Sequence, residues 1–555
     1  PDELNTATNA NGDKLQPAAR VVAVTARSMS GQQVVGRLRS RNNDFNVKAT
    51  DTFACLYPND MKLPKMLVWM RTCPRKFVEN AKSFEKSLVL VSFHQWRTDS
   101  MLPVANFQEN IGEMLNLKAE IRALLLEHQI DFRPFSKEVL ACLPAQSDKW
   151  QIPADELARR RDLRQTRIFT IDPLTARDLD DALHITPLEN GNFEVGVHIA
   201  DVTYFLPRGT ELDKEAARRC TTTYLTTHAV PMLPSVLCEN LCSLHPDVDR
   251  LAFSVIWELT PAGGVVKEWF GRTVIRSCSK MSYHVAQCMI ENSITKAMAE
   301  GLTDEQIEAL PMLGPYGGHS VEAMATDVRH MWSIAKTLRG QRFNTGSMNL
   351  NNVKLYIVLN DDDYPIEAHP YETKEANHMI EEFMLLANQR VARRIARAFP
   401  ERAMLRQHDP PVERMMERFA QFAAERGFEF DGSTSHAFAR SLEAINEQCD
   451  KNVFLAIQDL ATRPMQLAKY FCSGSRPPRE WHHYGLNVPY YTHFTSPIRR
   501  YADVVVHRQL YAALCGVDDR SGGTGAPGAG AVGRRRRARD DAGDDDDDDD
   551  DGDDD

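Results

Sequence analysis

The chain has 555 residues, 43% apolar and 26% charged, a balance that excludes fibrous and disulfide-dense classes and suits a globular protein of two or three domains. Its 11 cysteines form no C-x-x-C framework, and no apolar run approaches the roughly 18 residues of a membrane span. Reduced thiols, no secretory leader and no membrane association are therefore expected. The net charge of −11 is concentrated from Gly516 onward, where 15 Asp stand against 6 Arg, and the remaining near-neutral body does not exclude a nucleic-acid partner.

Residues 1–18 are small and polar and are expected to be disordered. Over 19–108 the short β-runs RVVAVTA, QQVVGRL, MLVWM and SLVLVSFHQW predict a small barrel of the OB or cold-shock type. Arg20, Arg27, Arg37, Arg39, Arg41 and Lys48 fall among its first strands, with Phe45, Phe53 and Tyr57 interleaved. That mixture suits single-stranded nucleic acid, the alternative being a barrel used only for packing. Residues 109–165 take helical spacing in NIGEMLNLKAEIRALLLEH and end in a basic run, which predicts a connector.

The body from 166 to 515 opens on IFTIDPLTARDLDDALHI, with Asp172, Asp178, Asp180 and Asp181 within ten residues. Carboxylates so crowded repel one another unless cations lie among them, and hard oxygen ligands on a short loop suit Mg²⁺. An extended backbone would put Asp178 and Asp180 on one side and Asp181 on the other, so a shared site requires the segment to bend. A solvated acidic loop or a calcium site is the alternative, although the EF-hand pattern is absent. Downstream, FEVGVHIADVTYF is a strand ending at His198 and Asp201, read as a hydrogen-bonded structural pair before a metal pair. Tyr224 lies beside three threonines, Tyr283 follows a basic strand, and 291–328 reads as a helix-loop insertion. Residues 373–397 form a long helix with Ala376, Met379, Ile380, Phe383, Met384, Ala387 and Val391 as its apolar stripe and Glu381 and Glu382 on the flanks. Residues 411–470 read as two more helices.

In YYTHFTSPIRRYADVVVHRQL, Ser496 and Pro497 predict a helix start, with Arg499, Asp503 and His507 stacked on one face. Arg499 in the first turn would grip a phosphate, and the alternative is a plain amphipathic helix. The Gly-, Arg- and Asp-rich tail, 516–555, lacks core-forming residues; its Arg run suits localisation or RNA contact and its Asp run a solvating or competing polyanion. Together the aspartates, a phosphate-gripping arginine, stacking aromatics and the barrel point to phosphodiester cleavage on single-stranded nucleic acid.

The motifs I-D-P-x-T-A-R-D-L-D-D-A at 171–182, H-I-A-D-V at 198–202 and H-F-T-S-P-I-R-R-Y-A-D at 493–503 resemble the RNase II, or RNB, family of processive 3′→5′ exoribonucleases. R-D-L-R at 161–164, V-P-M-L-P at 230–234, S-V-I-W at 254–257 and E-E-F-M-L-L-A-N at 381–388 resemble its eukaryotic, exosome-independent branch, which favours uridylated RNA. The resemblance implies a multidomain α/β (α+β) fold, with an N-terminal OB/cold-shock barrel and an RNB catalytic domain around a central single-strand channel. It implies Asp172, Asp178, Asp180 and Asp181 as ligands of Mg²⁺ (or Mn²⁺), with Asp180 the most critical carboxylate and Arg499 acting on the scissile phosphate. Tyr224, Tyr283, Glu381, Glu382 and Arg500 are the implied RNA contacts. A cytoplasmic monomer, in P-bodies, without an exosome tether and active in mRNA decay, is expected. The family also carries a further cold-shock domain, a later catalytic-site glutamate and an S1-type domain, for which this sequence shows no counterpart. A catalytically impaired RNA-binding protein on the same fold is therefore the competing expectation.

Overall fold

In the computed structural model the described residues are 32–516, apart from 41–46, 49, 146–148, 293–311, 349–354, 361–363 and 371–372. The expected disordered segments at 1–18 and beyond Gly516, the first β-run, and Arg20, Arg27, Arg41 and Phe45 lie outside them.

Strands β1 (Gln33–Arg39), β2 (Phe53–Pro58), β3 (Met66–Trp69), β4 (Ser87–Gln95) and β5 (Val104–Glu113) close in the order β1-β2-β3-β5-β4. Strand alternation turns Val34, Leu38, Ala54, Leu56, Met66, Val68, Val89 and Val91 into one core. The other register leaves a cationic and aromatic stripe outside. Arg37 pairs with Tyr57 across β1 and β2, and the Arg39 and Lys65 charges lie 5.9 and 4.7 Å from the Tyr57 ring. Phe53 packs at 4.4 Å on Trp69, over which Arg71 lies at 4.7 Å. The helix expected from 109 starts later: β5 runs to Glu113, and helix α1 (Leu117–Glu127) is capped by Asn116, whose Oδ1 accepts from the Ala119 amide.

The second body is built on β6 (Arg161–Asp172), β7 (Asp181–Pro187), β8 (Phe193–Ala200), a short hairpin of β9 (Thr223–Tyr224) and β10 (Ala229–Val230), β11 (Asp249–Leu259), β12 (Val265–Ser282) and β13 (Met312–Leu313). Its six-stranded sheet runs β11-β8-β7-β6-β12-β13. The long β12 pairs antiparallel with β11 and then parallel with β6, so the sheet curls back on itself. One face buries Leu183, Val195, Val197, Phe253, Val255 and Trp257 against helices α2 (Tyr283–Ile290), α3 (Val321–Asn344) and α4 (Glu375–Ala398). The small residues Ala182, Ala200 and Ala252 on the other face admit Leu212, Leu233, Leu237 and Leu244.

The apolar stripe of α4 is buried as its spacing dictates. Residues 411–470 hold three helices where two are expected: α5 (Glu413–Ala424), α6 (Ser435–Gln448) and α7 (Lys451–Thr462). Thr434 and Asp450 each cap a new helix there, and the apolar periodicity alone does not register these breaks. Helix α8 (Tyr501–Cys515) closes the described chain. No helix among the described residues is long and apolar enough to cross a membrane.

Within the sheet, His198 and Asp201 are structural but not each other's partners. His198 bridges His184 (2.8 Å) and Ser254 (2.7 Å), whereas Asp201 is clasped by Arg160 (2.8 Å) and Arg272 (3.1 Å). A Cβ on Gly196 would lie 2.3 Å from the His184 ring. Gly196→Ala is thus expected to lower stability by about 1–3 kcal/mol, seen as a fall in Tm; an unchanged melt would show that the histidine pair yields freely.

Candidate active site

Strands β6 and β7 are antiparallel neighbours, and the aspartates occupy the ends they present and the loop between them. Asp172 ends β6 opposite Ser282 of β12, and Asp181 opens β7 opposite Ile199 of β8. The loop bends as a shared site requires. Pro173 starts a turn closed by the Ala176 amide at 3.0 Å, and Leu179 plugs the core, fully buried. Ser243 accepts from the Leu179 amide (3.0 Å) and donates to the Arg177 carbonyl (2.7 Å), while Lys280 Nζ donates to the Ala176 carbonyl (2.5 Å). Asp172 and Asp180 are buried, and Asp178 and Asp181 are half-buried.

Arg499 comes to this loop from the other end of the body. The S-P-I-R segment is a turn and not the first turn of a helix: α8 starts at Tyr501, with Arg500 at its N-cap. Ser496 does not cap it; its carbonyl instead receives the Arg499 and Arg500 amides at 3.3 and 3.1 Å. The N-terminus of α8 accordingly lies just after Arg499 and does not enclose it. The free amide of the turn, Ile498 N, donates to Asp180 Oδ1 at 2.9 Å. Arg499 Nε lies 3.5 Å from Asp180 Oδ2, and its Nη2 donates to Ser496 Oγ at 2.9 Å. The Arg499 carbonyl accepts from Thr222 N (3.0 Å) and Thr221 Oγ1 (2.9 Å), which aligns the β9 strand so that the exposed Tyr224 donates its hydroxyl to Asp178 Oδ2 at 2.6 Å.

The charges are unreconciled as the chain stands. Burial, reinforced by Asp180 and Asp178, pushes the Asp172 carboxyl up to about 7 against the relief from Lys280. Burial pushes Asp180 up to about 8 despite Arg499, and burial together with Asp172 does the same to Asp181. Asp172 Oδ2 is buried with no hydrogen-bond partner. Among the described residues, no three His, Cys, Asp or Glu side chains are already arranged to hold a metal ion. The all-oxygen donor set and its unpartnered buried oxygen nevertheless fit a hard cation such as Mg²⁺ or Mn²⁺.

These raised values set a sign for stability. A carboxyl held near 8 in the folded chain and near 3.8 unfolded contributes its stability at low pH and loses it as pH rises toward 8. Without divalent cations, Asp181→Asn is therefore expected to melt above wild type near pH 8, the gap closing below about pH 4. Added Mn²⁺ raises the wild-type Tm at the upper pH and not that of the variant. A gap independent of pH would contradict the assignment.

The other expected contacts divide. Tyr283 is half-buried at the start of α2, one residue past Ser282, beside the Asp172 strand end. Glu382, only 3% exposed, is gripped by Arg342 (2.6 Å) and Arg339 (3.4 Å), which ties α4 to α3. Glu381 is partly exposed and pairs with Arg339, Arg342 and His378. Arg500 donates to Asp503 at 2.8 Å, and His507 is buried, its Nε2 bonded to the Phe494 carbonyl. Lys280 and Ser243 were not legible as site residues, because only the β6–β12 pairing and a loop contact far along the chain bring them to the aspartates.

The sequence model of the RNB domain matches residues 160–516, which contain the whole aspartate and Arg499 constellation. The chain belongs to the RNB family. A model of the Dis3-like cold-shock domain 2 (CSD2) matches residues 53–129, over β2 to β5 of the barrel and α1. Among RNB relatives, DIS3-like exonuclease 2 of Xenopus tropicalis is 42% identical over 91% of this chain and 60% of its own length. The Arabidopsis thaliana protein named inactive exonuclease DIS3L2 is 38% identical over 90% of this chain and 48% of its own. The chain thus spans about half to three fifths of these curated relatives. Mycoplasma genitalium RNase R, solved with ribose-methylated single-stranded RNA, shares the RNB fold with a TM-score of 0.69 at 22% identity, over 88% of this chain and 70% of that one.

Proposed function

We propose that this chain hydrolyses single-stranded RNA from its 3′ end to nucleoside 5′-monophosphates, in a reaction that depends on a divalent cation. The observation that carries the reading is the meeting of two segments more than 300 residues apart, which sets Arg499 and the Ile498 amide against Asp180 inside a cluster of four carboxylates. A binding module has no use for so costly a concentration of buried charge.

Asp172, Asp178, Asp180 and Asp181 would hold Mg²⁺ or Mn²⁺. Bound there, the cation supplies Lewis-acid stabilisation of charge developing on the phosphate. Arg499, its side chain 43% exposed and locked by Ser496 Oγ, adds a fixed fork of donors toward the same phosphate. Tyr224 and Tyr283 offer ring faces to the terminal nucleotides, and the Tyr57–Trp69 stripe of the barrel suits the strand upstream. A preference for 3′-uridylated RNA, and a cytoplasmic monomer acting in mRNA decay without an exosome tether, complete the proposal.

A paired comparison tests it. A ribo-oligomer with a 3′ oligouridine tail should be shortened in Mg²⁺, the same tail in oligoadenosine more slowly, and the deoxyribo-oligomer not at all. Equal attack on DNA would overturn the substrate class. The second reading, a non-catalytic RNA binder, draws on the relative named inactive; tight RNA binding without shortening would establish it.

A further inference from the structure

Arg500 follows Arg499 directly, and its side chain is held by Asp503. Asp503 is fully buried, and its Oδ1 accepts two bonds of 2.8 Å, from Arg500 Nη2 and from the Ser496 amide. One carboxylate oxygen therefore ties both ends of the turn 496–500. Everything this turn offers the active site hangs from those ties. The Ser496 carbonyl receives the Arg499 and Arg500 amides, Ser496 Oγ receives the Arg499 guanidinium, and the Ile498 amide reaches Asp180.

We infer that Arg500 and Asp503 are positioning residues, a buried pair that holds the turn so that Ile498 N and Arg499 meet Asp180, and not part of the RNA-binding surface. The inference rests on the nuclease reading for its kinetic consequences only. The back of the turn has separate anchors: Thr222 N and Thr221 Oγ1 hold the Arg499 carbonyl, and Tyr501 N donates to the Cys220 carbonyl at 2.8 Å. Losing the pair should thus free the 496–498 side first, where Asp180 is held, while 499–501 stays on β9. Asp503 Oδ2 is buried without a hydrogen-bond partner, so either residue alone is badly matched to its surroundings. Removing both should harm no more than removing one.

The test compares R500Q, D503N and the double variant R500Q/D503N with wild type, by RNA turnover and by backbone hydrogen exchange. A positioning pair predicts that kcat falls about 100-fold in each single variant, because small misplacements of reacting groups cost that much. KM for RNA should stay within about threefold, as for an interaction that does not bind substrate itself. The double variant should be no slower than the singles. Exchange at the Ser496 and Ile498 amides, and at the Arg499 and Arg500 amides bonded to the Ser496 carbonyl, should accelerate at least about tenfold, with Tyr501 and the barrel strands unchanged. A raised KM at constant kcat in R500Q would make Arg500 an RNA contact and overturn the inference, as would additive losses or unchanged exchange. Should D503N not fold, R500Q and the double variant decide alone. If wild type shows no turnover, faster exchange at these amides upholds the pair while the nuclease reading falls.

Discussion

Asp180→Asn should reduce RNA hydrolysis by about three orders of magnitude or more while RNA affinity stays within about twofold. Asp180 is 4% exposed and lies behind Arg499, so it contributes no surface that a strand could grip. An asparagine keeps a carbonyl to accept the Ile498 amide and preserves the turn. What it removes is the charge that a cation and Arg499 both answer. The aromatic and cationic stripe on the barrel is untouched by the change, and binding there should persist. The variant should also melt above wild type in EDTA at neutral pH, since a carboxyl raised to about 8 in the fold ionises freely only on unfolding, which favours the unfolded chain. Turnover that survives would remove Asp180 from the reaction. Loss of binding in parallel with turnover would make it a folding residue.

Arg499→Ala should lower kcat by about 10²–10³-fold, the usual cost of removing a preorganised donor at developing charge. Lysine should recover only a small part, because the planar fork that spans Asp180 Oδ2, Ser496 Oγ and a phosphate cannot be copied by a point charge. RNA affinity should weaken modestly, and the slope of log K against log salt should shrink by about one phosphate contact. Kinetics over a salt series measure both. A variant that binds more weakly but turns over at the wild-type rate would reduce Arg499 to an ordinary phosphate contact.

The four aspartates were legible as a cluster from composition and spacing, since so many in ten residues have few structural uses. Their arrangement was not. The bend that joins Asp178, Asp180 and Asp181 depends on Ser243 and Leu244 gripping Leu179, a contact between segments more than 60 residues apart. Ser496-Pro497 carries every local sign of a helix start, yet α8 begins only at Tyr501, and the Ser496 and Ile498 amides, which a helix start leaves without partners, are taken by Asp503 and Asp180. The same capture moves Arg500 from the RNA surface into an ion pair. The Glu382 ion pair was hidden for a related reason: helical spacing puts Glu382 beside the apolar stripe but cannot show that Arg342 of α3 waits there. In the barrel, β2 and β5 escaped notice; Val104–Glu113 is largely polar, and both strands are fixed by cross-strand partners. The cold-shock-type barrel and the RNB body themselves followed from motifs long enough to survive these local errors.

The most direct test of the central claim is a time course on 5′-labelled, 3′-oligouridylated single-stranded RNA with Mg²⁺, with EDTA, and with the Asp180→Asn variant, alongside the binding affinity of each protein. The claim predicts a ladder shortening from the 3′ end, abolished by chelation and by the substitution, with binding preserved in the variant. Binding by wild type with no ladder in Mg²⁺ or Mn²⁺ would contradict it and leave an RNA-binding member of the RNB family.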